Sequence, residues 1–432
     1  MRTPEFGATN AWFNILPELP PAKMLTADVK ADWAVLGAGV TGLAAARRLA
    51  EHLPDASIVL IDAERIGNGN SGRNSGFVLH CWFMGNLGKD TEALQREARL
   101  NGHGTETLRR LVRENQIECH WHDFGMLWAG AGELGDAGVR ERCEGFESLG
   151  QVPRLLDKAA LKKITGSGFY TSGVIADGTA LMQPAAMCRG LARTLPTNVE
   201  VYENTSVTKI SGHAPVRLDT RDGAFKVGGL LLCTNTFSPD LGFGRHRISA
   251  GTVFASLTRQ LSDGELDEVG EEGPWGLLPG VIGGSTVRRT SDNRLLMRNG
   301  FAHLPKKRVD ETSLPQMRAQ HRESIAKRWP KLSKLEIVDT WGGILGGTYN
   351  RGYIFGELET GIWGSMPCNG ANISRGTTSG ELLADMAVGA SSPLLTDQRS
   401  SPRPTLLPPE PILGLFARHR RRRMATIGQS ER

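Results

Sequence analysis

Residues 31–62 read ADWAVLGAGVTGLAAARRLAEHLPDASIVLID, and the fold can be inferred outward from them. The apolar run 33–36 is typical of a buried strand, and the alanine- and leucine-rich run 43–53 is typical of a helix. Residues 57–61 form a second apolar run, which ends at Asp62. A strand, a helix and a second strand within roughly thirty residues predict a βαβ unit whose two strands are parallel.

The glycines of this stretch lie where a dinucleotide site requires them. Gly37, Gly39 and Gly42 form the pattern G-x-G-x-x-G between strand and helix, and Asp62 follows about twenty residues later. The first glycine permits a tight turn, the second lets backbone N–H groups approach a pyrophosphate, and the third lets the helix pack closely. Asp62 can accept hydrogen bonds from a ribose. An α/β core with an incidental glycine turn is the alternative, and the agreement of these features argues against it.

The residues after Asp62 favour FAD over a nicotinamide cofactor. A nicotinamide enzyme continues with further βαβ units, whereas residues 65–76 of this chain read RIGNGNSGRNSG. The backbone amides of this loop, with the side chains of Asn70 and Ser71, are suited to hold two phosphates and the edge of an isoalloxazine ring. A nicotinamide-dependent dehydrogenase is kept as an alternative.

With these motifs the chain resembles the flavin-dependent amine oxidases of the D-amino-acid oxidase superfamily, in particular the gamma-glutamylputrescine oxidase-like and glycine/sarcosine oxidase-like branch. The similarity covers nearly the whole chain and is most specific in the first two of six stretches, which are residues 31–51, 60–76, 229–237, 289–301, 340–350 and 368–385. The resemblance implies an α/β fold, with a Rossmann-like FAD-binding domain and a second, mixed-sheet α+β substrate domain.

The same resemblance implies which residues bind FAD. They lie in the glycine loop, at the end of the second strand, in the polar loop after it and in two later segments: Gly37, Gly39, Val40, Gly42, Asp62, Ala63, Asn70, Ser71, Gly72, Arg73, Asn74, Ser75, Gly76, Val207, Asn369, Gly370, Ala371, Asn372 and Ile373. Two features depart from the family pattern. Asp62 stands where the family more often has Glu, and residues 368–373 lack the Gly-His-Gly element of many relatives, which leaves the contacts to flavin O2 open.

The expected reaction is oxidation of an amine or amino acid to an imine, which water hydrolyses, with the electrons passing to oxygen or another acceptor. Because the cofactor carries most of this chemistry, few side chains are compulsory. His80 and Tyr349 are the catalytic candidates, and an ordinary packing role is the alternative for each. An arginine can bind a substrate carboxylate through two parallel hydrogen bonds. The candidates are Arg259 and Arg298, with Arg288 and Arg351 as further choices, although most arginines are surface charges.

Two further features of the sequence resemble sites. His120 and His122 alternate as a metal-binding pair would, but no cluster of cysteines or carboxylates accompanies them, so no metal is expected. Cys368 raises the question of covalent flavin attachment, for which a buried structural thiol is the favoured alternative.

The composition is that of a folded enzyme. The 432 residues are 39% hydrophobic and 22% charged, and a formal net charge of +5 is too small to indicate nucleic acid by itself. Six cysteines without a C-x-x-C pair favour a reducing compartment, and we expect a cytoplasmic protein. No apolar run approaches the roughly 20 residues of a membrane span. Residues 1–30 lack the apolar core of a secretion signal.

We expect the FAD-binding domain to be discontinuous, with residues 28–85, 165–245 and 340–400, and the substrate domain to comprise residues 86–164 and 246–339. Residues 1–27 are proline-rich and are expected to form an extended arm. Residues 401–432 contain the run RHRRRR and are expected to form a flexible basic tail.

The partner expected from these observations is a small-molecule amine or amino acid, and no nucleic acid is expected. The basic run leaves one alternative from another class, a flavin-containing RNA-modification or RNA-binding protein. The sequence leaves the oligomeric state and the identity of the substrate open.

Overall fold

The computed structural model describes residues 6–7, 9–81, 90–270, 273–370 and 373–432. Its strands, numbered in chain order, are β1 Val29–Leu36, β2 Ile58–Ile61, β3 Phe77–Val78, β4 His122–Asp123, β5 Met126–Gly130, β6 Arg154–Asp157, β7 Ser172–Ala176, β8 Ala180–Leu181, β9 Val199–Tyr202, β10 Lys209–Ser211, β11 Val216–Asp219, β12 Ala224–Leu232, β13 Ser249–Thr258, β14 Trp275–Pro279, β15 Thr286–Arg289, β16 Leu295–His303, β17 Ile337–Gly347, β18 Ile354–Glu359 and β19 Ile362–Met366. Its helices are α1 Ala11–Asn14, α2 Val40–His52, α3 Thr91–Glu114, α4 Gly132–Ser148, α5 Lys158–Thr165, α6 Pro184–Arg193, α7 Asp263–Leu266, α8 Leu314–Arg328, α9 Ile373–Ala387, α10 Pro393–Arg399 and α11 Ile412–Ile427.

One sheet contains the predicted βαβ unit. β1 pairs in parallel with β2 on one side and with β12 on the other. β9 continues the parallel strands beyond β2, and β19 pairs in parallel with the second half of β12. Helix α2 covers this sheet because Leu43, Ala46 and Leu49 lie on its buried face. The Rossmann-like arrangement expected from the sequence is therefore confirmed.

Helix α9 packs against both α2 and α3, and glycines permit the close approach. A Cβ atom at Gly380 would lie 2.1 Å from the carbonyl oxygen of Thr41 in α2. A Cβ atom at Gly104 in α3 would lie 1.9 Å from the carbonyl oxygen of Ser374. Gly376 approaches Thr41 in the same way, so the first turns of α2 and α9 lie side by side.

A second, mixed sheet has the strand order β17-β13-β16-β15-β14-β5-β7-β6. Most of its strand pairs are antiparallel, and β14 with β5 is a parallel pair. Trp275, Leu277 and Val287 lie in its core together with Trp329, which follows α8. Strands β3, β8 and β4 form a small third sheet. The expected mixed α+β part of the fold is confirmed.

The sheets divide the chain differently from the ranges expected for the two domains. β7 and β17 belong to the second sheet, although β7 falls within the range 165–245 and most of β17 within the range 340–400, both assigned to FAD binding. β17 pairs with β13 over its full length, from Ser249 opposite Gly347 to Thr258 opposite Ile337. The segment 340–347 was assigned to the FAD-binding domain, whereas its strand pairing with β13 places it in the second sheet.

Both terminal segments are folded against the molecule. In the arm expected at residues 1–27, α1 buries Trp12, whose indole N–H donates to the Asn74 carbonyl at 2.9 Å. The flexible tail expected at residues 401–432 is corrected: the basic run lies in helix α11. Glu431 is 1% exposed, and its carboxylate accepts hydrogen bonds of 3.1 Å from the backbone N–H groups of Ala131 and Val281.

Across the described ranges, no helix has both the length and the apolar character needed to cross a bilayer.

Candidate active site

The loop between β1 and α2 forms the first wall of the site. Gly37 has φ +100°, a conformation that glycine adopts without strain. A Cβ atom at Gly42 would lie 1.7 Å from the Gly37 carbonyl oxygen, so only glycine lets α2 begin this close to the loop. Gly39, Val40 and Thr41 line a large cavity. The N-terminal end of α2 therefore faces that cavity, where its N–H groups and helix dipole favour an anion.

Asp62 lies at the end of β2 and also lines this cavity. One carboxylate oxygen accepts a hydrogen bond from the Ala38 N–H at 2.7 Å, and the other accepts one from the Glu64 N–H at 2.9 Å. Burial raises the pKa of Asp62 to about 6, although these two hydrogen bonds act in the opposite direction. Ala63 and Val207 line the cavity as well. The sequence analysis predicts that Asp62 binds a ribose and that Ala63 and Val207 contact FAD.

The polar loop after Asp62 is fixed by contacts to distant segments. The Asn70 side-chain amide binds the backbone of Ile344 in β17 in both directions, with the Ile344 N–H donating to Asn70 Oδ1 at 2.6 Å. Ser71 Oγ accepts a hydrogen bond of 3.0 Å from the Val40 N–H, the first residue of α2. The loop therefore joins the glycine loop on one side to the second sheet on the other.

Arg73 holds this loop together from inside. Its guanidinium donates to the carbonyls of Asn68 at 2.6 Å and Thr9 at 2.8 Å, with further bonds to the carbonyls of Gly7 and Gly342. Burial lowers the pKa of Arg73 to about 10. Because its hydrogen bonds go to four backbone carbonyls and to the Asn68 side chain, Arg73 holds the loop in position.

A continuous cavity of about 1180 Å³ connects these features with the second sheet. The residues expected to bind FAD that line it are Gly37, Gly39, Val40, Asp62, Ala63, Asn70, Ser71, Gly72, Arg73, Asn74, Ser75, Val207, Asn369, Gly370 and Ile373. Gly42 and Gly76 do not line the cavity but permit close packing next to it. A Cβ atom at Gly42 would collide with Gly37, and one at Gly76 would collide with Arg288. Ala371 and Asn372 lie outside the described residues.

The arginines considered for a substrate carboxylate lie in different places. Arg298 on β16 lines the cavity, where one guanidinium nitrogen donates to Thr286 Oγ1 at 2.7 Å, and burial lowers its pKa to about 10. Arg351 also lines the cavity. The expectation for Arg259 is corrected, because its guanidinium lies at the surface and binds Glu265 at 2.7 and 2.8 Å. Arg288 is fully buried and donates to backbone carbonyls such as that of Met182.

The two catalytic candidates also differ in position. Tyr349 lies at the rim of the cavity and is 80% exposed, so it does not have the position of a group enclosed with a substrate. The expectation for His80 is corrected: its ring packs between α3, at Gly102, and Gly178 rather than against the cavity. Burial lowers the pKa of His80 below the usual value of an imidazole.

The remaining sequence candidates can also be located. His122 lies in β4 with its ring stacked on Phe124. The described part of the chain contains no group of three or more His, Cys, Asp or Glu side chains placed to hold a metal ion. Cys368 is a free thiol that lines the cavity, and its sulfur accepts a hydrogen bond from the Asn235 amide at 3.3 Å.

Two contributors to the cavity wall were missed from the sequence. The ring of Tyr353 lies beneath the Arg375 guanidinium, with 4.6 Å between the ring centroid and Arg375 Cζ. Burial raises the pKa of the Tyr353 hydroxyl to about 12. The second contributor is helix α11, one face of which lines the cavity. The sequence contains a pattern that predicts α11, because Leu413, Phe416 and Met424 are apolar residues at helical spacing on either side of the basic run.

The residues present fit a flavin dinucleotide. Gly39 leaves a space beside its backbone that a Cβ atom would fill, and that atom would lie 2.9 Å from Ser71 Oγ. The cavity begins at the positive end of a helix and beside a carboxylate, as a pyrophosphate and a ribose require. It then continues to residues of the second sheet, such as Arg298 on β16.

Comparison with known proteins agrees with this geometry. The model of the DAO family, described as FAD dependent oxidoreductase, matches residues 32–386. The chain is 25% identical over 385 residues to the gamma-glutamylputrescine oxidoreductase of Escherichia coli (strain K12), which covers 85% of this chain and 86% of that protein. It is 28% identical over 413 residues to the probable oxidoreductase OrdL of Rhizobium meliloti (strain 1021), with 89% of each chain covered.

Solved structures share the fold at lower identity. Glycine oxidase from Geobacillus kaustophilus superimposes with a TM-score of 0.70 at 17% identity, covering 84% of this chain and 96% of that one. L-proline dehydrogenase from P. horikoshii gives a TM-score of 0.71 at 16% identity, covering 86% and 98%.

Proposed function

Because the chain belongs to the DAO family of FAD-dependent oxidoreductases, we propose that it oxidises the C–N bond of an amine or amino acid. The substrate loses a hydride from carbon and a proton from nitrogen, and water hydrolyses the resulting imine to a carbonyl compound and an amine. FAD, when bound, supplies the acceptor for the two electrons, which then pass to oxygen or to another acceptor. The names of the relatives, gamma-glutamylputrescine oxidoreductase, glycine oxidase and L-proline dehydrogenase, support this class of substrate.

Within this proposal the glycine loop and Asp62 hold the dinucleotide end of FAD. The N–H groups at the start of α2 would bind the pyrophosphate, and Asp62 and Val207 would hold the adenosine. The loop at residues 67–76, held by Arg73, orients the flavin end. Residues 369–373 are proposed to contact the flavin from the opposite side.

The single observation that carries the proposal is the continuity of the cavity from the start of α2 to Arg298. No ion pair between Arg298 and a carboxylate is present in the described ranges, so its charge is available to a ligand. Arg298 is proposed to bind the substrate carboxylate, and Tyr349 to contact the substrate at the rim.

The proposal is tested by the flavin itself. The purified protein should be yellow and should release FAD on denaturation. Anaerobic addition of amines and of D- and L-amino acids should bleach the flavin for at least one compound, and readmission of air should distinguish an oxidase, which recovers its colour, from a dehydrogenase. A colourless protein that binds NAD on titration would contradict the proposal. The family match gives no support to that alternative or to an RNA-binding function.

A glycine variant tests the cofactor placement. Gly39→Val puts a side chain where the pyrophosphate is proposed to lie, so it should give folded protein without flavin. Gly168 is exposed, and a Cβ atom there meets nothing within 4 Å, so Gly168→Val is the matched control and should retain FAD. Normal flavin content in Gly39→Val would contradict the placement.

The cysteines support a proposal about the compartment. All six are free thiols, as expected of a protein that works in a reducing compartment such as the cytoplasm.

A further inference from the structure

The net positive charge of the protein is concentrated in one segment. Residues 401–432 contain seven arginines, two glutamates and no lysine or aspartate, so their formal net charge is +5. The whole chain also has a formal net charge of +5, and residues 1–400 are therefore neutral as a set. Five of the seven arginines lie in helix α11, and all five are exposed: Arg418, Arg420, Arg421, Arg422 and Arg423. A negatively charged partner would be attracted to this segment in particular.

The same segment exposes large apolar side chains. Leu406, Ile412, Leu415 and Phe416 are between 46% and 67% exposed. Ile412, Leu415 and Phe416 are spaced by three and four residues, so they are neighbours on one face of α11. Arg422 follows Leu415 by seven residues and lies two turns further along that face. The exposed face of the helix is therefore apolar in its first half and basic in its second.

The acidic residues of the segment do not neutralise the arginines of α11. The Glu410 carboxylate contacts the His303 ring at 2.9 Å and accepts a hydrogen bond of 3.1 Å from the Gly414 N–H. The Glu431 carboxylate is buried among backbone N–H groups, as described above. Across the part of the chain that the structure describes, no carboxylate forms an ion pair with an arginine of α11. The charges of the helix are therefore open to an external anion.

Helix α11 is held to the body of the protein at both ends. Before the helix, the Leu407 N–H donates to the His246 carbonyl at 2.7 Å. After the helix, the Ser285 N–H donates to the Glu431 carbonyl at 3.0 Å. The apolar and basic side chains are thus presented together on a fixed element, so little ordering of the backbone remains to oppose binding.

The combination of apolar and basic side chains favours a lipid surface among anionic partners. Nucleic acid would engage the arginines through its phosphates, but single-stranded bases stack on aromatic rings rather than on isoleucine or leucine. A bilayer with anionic lipids offers a partner to both kinds of side chain. Its headgroups attract arginines, and its acyl boundary accepts the apolar face of a helix that lies in the plane of the surface.

We propose that α11 is a docking surface for a membrane that contains anionic lipids. Ile412 and Leu415 enter the acyl boundary, and the arginines of α11 lie at the headgroups. Phe416 belongs to the same apolar face and also lines the cavity, so docking places the cavity beside the membrane. The attachment is peripheral, and it does not depend on which amine or amino acid the protein oxidises.

Two variants remove the two halves of the docking surface. The apolar variant replaces two side chains together, Ile412→Ser and Leu415→Ser. The charge variant replaces three, Arg418→Gln, Arg421→Gln and Arg422→Gln. None of these five residues lines the cavity, so the cofactor and substrate sites are left intact.

Each variant has a matched control elsewhere on the surface. Val152 and Leu155 are 95% and 62% exposed in and before β6, and Val152→Ser with Leu155→Ser removes a comparable apolar pair. Three exposed arginines outside residues 401–432 give the charge control, which is Arg113→Gln, Arg193→Gln and Arg221→Gln. It lowers the net charge of the protein as much as the charge variant does.

The experiment measures co-sedimentation of the FAD-loaded protein with vesicles of phosphatidylcholine alone or with an equal part of phosphatidylglycerol. The wild type should bind the anionic vesicles and not the neutral ones. The charge variant should bind them about a hundredfold more weakly, because three arginines are lost from the surface that faces the lipid. The apolar variant should bind about tenfold more weakly. Both controls should bind as the wild type does, and melting temperature and flavin content show that each variant is folded and loaded.

Binding to neither kind of vesicle, equal binding to both kinds, or the same losses in the controls would overturn the inference. Full vesicle binding by the apolar variant would also contradict it, because the apolar face would then have no part in docking. Two further measurements detect other occupants. Binding of a uridine oligonucleotide without vesicle binding would assign the arginines to nucleic acid. A dimer that dissociates in the apolar variant, again without vesicle binding, would assign the face to a second copy of the chain.

Discussion

The Asp62 carboxylate accepts a hydrogen bond of 2.7 Å from the backbone N–H of Ala38, and this bond ties the glycine loop to the end of β2. Glutamate, the residue more often found here in the resembled family, is longer by one methylene group and would carry its carboxylate past the loop amide. The shorter aspartate instead holds the loop directly. We infer that Asp62 both shapes the pyrophosphate loop and presents its charge to the ribose.

Replacing Asp62 by alanine should therefore lower both stability and flavin content. The Ala38 and Glu64 N–H groups would lose a charged acceptor, which should cost about 1.5–3 kcal/mol of unfolding free energy. Urea unfolding and the ratio of flavin to protein absorbance measure the two effects. Asp55, which is exposed in the loop before β2, gives the control: Asp55→Ala should change neither quantity. Full flavin retention by Asp62→Ala would refute the dual role.

A methyl group at Gly42 should be far more damaging than one at an open glycine. The Cβ atom of Gly42→Ala would lie 1.7 Å from the Gly37 carbonyl oxygen, and backbone atoms cannot move aside cheaply. We expect a loss of at least about 3 kcal/mol, with little folded protein recovered. Gly264 in α7 has nothing within 4 Å of its Cβ position, so Gly264→Ala should stay within about 1 kcal/mol of the wild type. Thermal unfolding of both variants provides the comparison.

Replacing Arg73 by lysine separates a positioning role from an electrostatic role at the flavin. Lysine keeps the charge but cannot reach the carbonyls of Thr9, Asn68 and Gly342 together. Loss of these buried bonds should lower the unfolding free energy by about 2–4 kcal/mol. The reduction potential of the remaining flavin should stay close to that of the wild type, because Arg73 acts through the loop. Arg221, which is almost fully exposed, provides the control variant Arg221→Lys.

A large shift in the reduction potential of Arg73→Lys, with unchanged stability, would instead assign Arg73 to the flavin. The measurement therefore decides between a role in positioning the loop and an electrostatic role at the flavin.

The sequence predicted the parts of the site that local geometry determines. Gly37 and Gly42 can be recognised in the sequence because a tight turn and a close helix contact both exclude a side chain. The position of Asp62 is predicted by the end of the second strand. The same reasoning gave β1, α2 and β2 with small errors at their ends. These features depend on neighbours within one βαβ unit, so the sequence contains the information needed.

The parts that the sequence missed depend on which partner each side chain finds in the folded protein. Arg259 was a candidate for binding a substrate carboxylate, but it forms an ion pair with Glu265, six positions along the chain. His80 follows the cofactor loop in sequence but turns towards α3. For α11 the apolar spacing could have predicted a helix, although nothing in the sequence states that its Arg420 face meets the cavity. For His80 and α11 the deciding neighbours come from segments distant in the chain, whereas for Arg259 the partner is local.

The anchor at Glu431 should make the molecule's stability depend on pH. Burial raises the pKa of Glu431 from 4.5 to about 6, although the N–H groups of Val281 and Ala131 and the charge of Arg328 act against this. The folded protein therefore binds more protons than the unfolded chain between these values. The contribution of this group is fully present below pH 4.5 and is lost as the pH rises through 6.

The difference between the wild type and Glu431→Gln isolates this contribution, because all other titrating groups are shared. Relative to Glu431→Gln, the wild type should lose about 1 kcal/mol of unfolding free energy between pH 5 and pH 8. Urea unfolding at both pH values measures it. Glu144 is exposed in α4, so the wild type and Glu144→Gln should differ by the same amount at both pH values. A difference for Glu431→Gln that also stays constant would show that the carboxylate remains ionised throughout, held by the two backbone N–H groups. The anchor of α11 would then be independent of pH over this range.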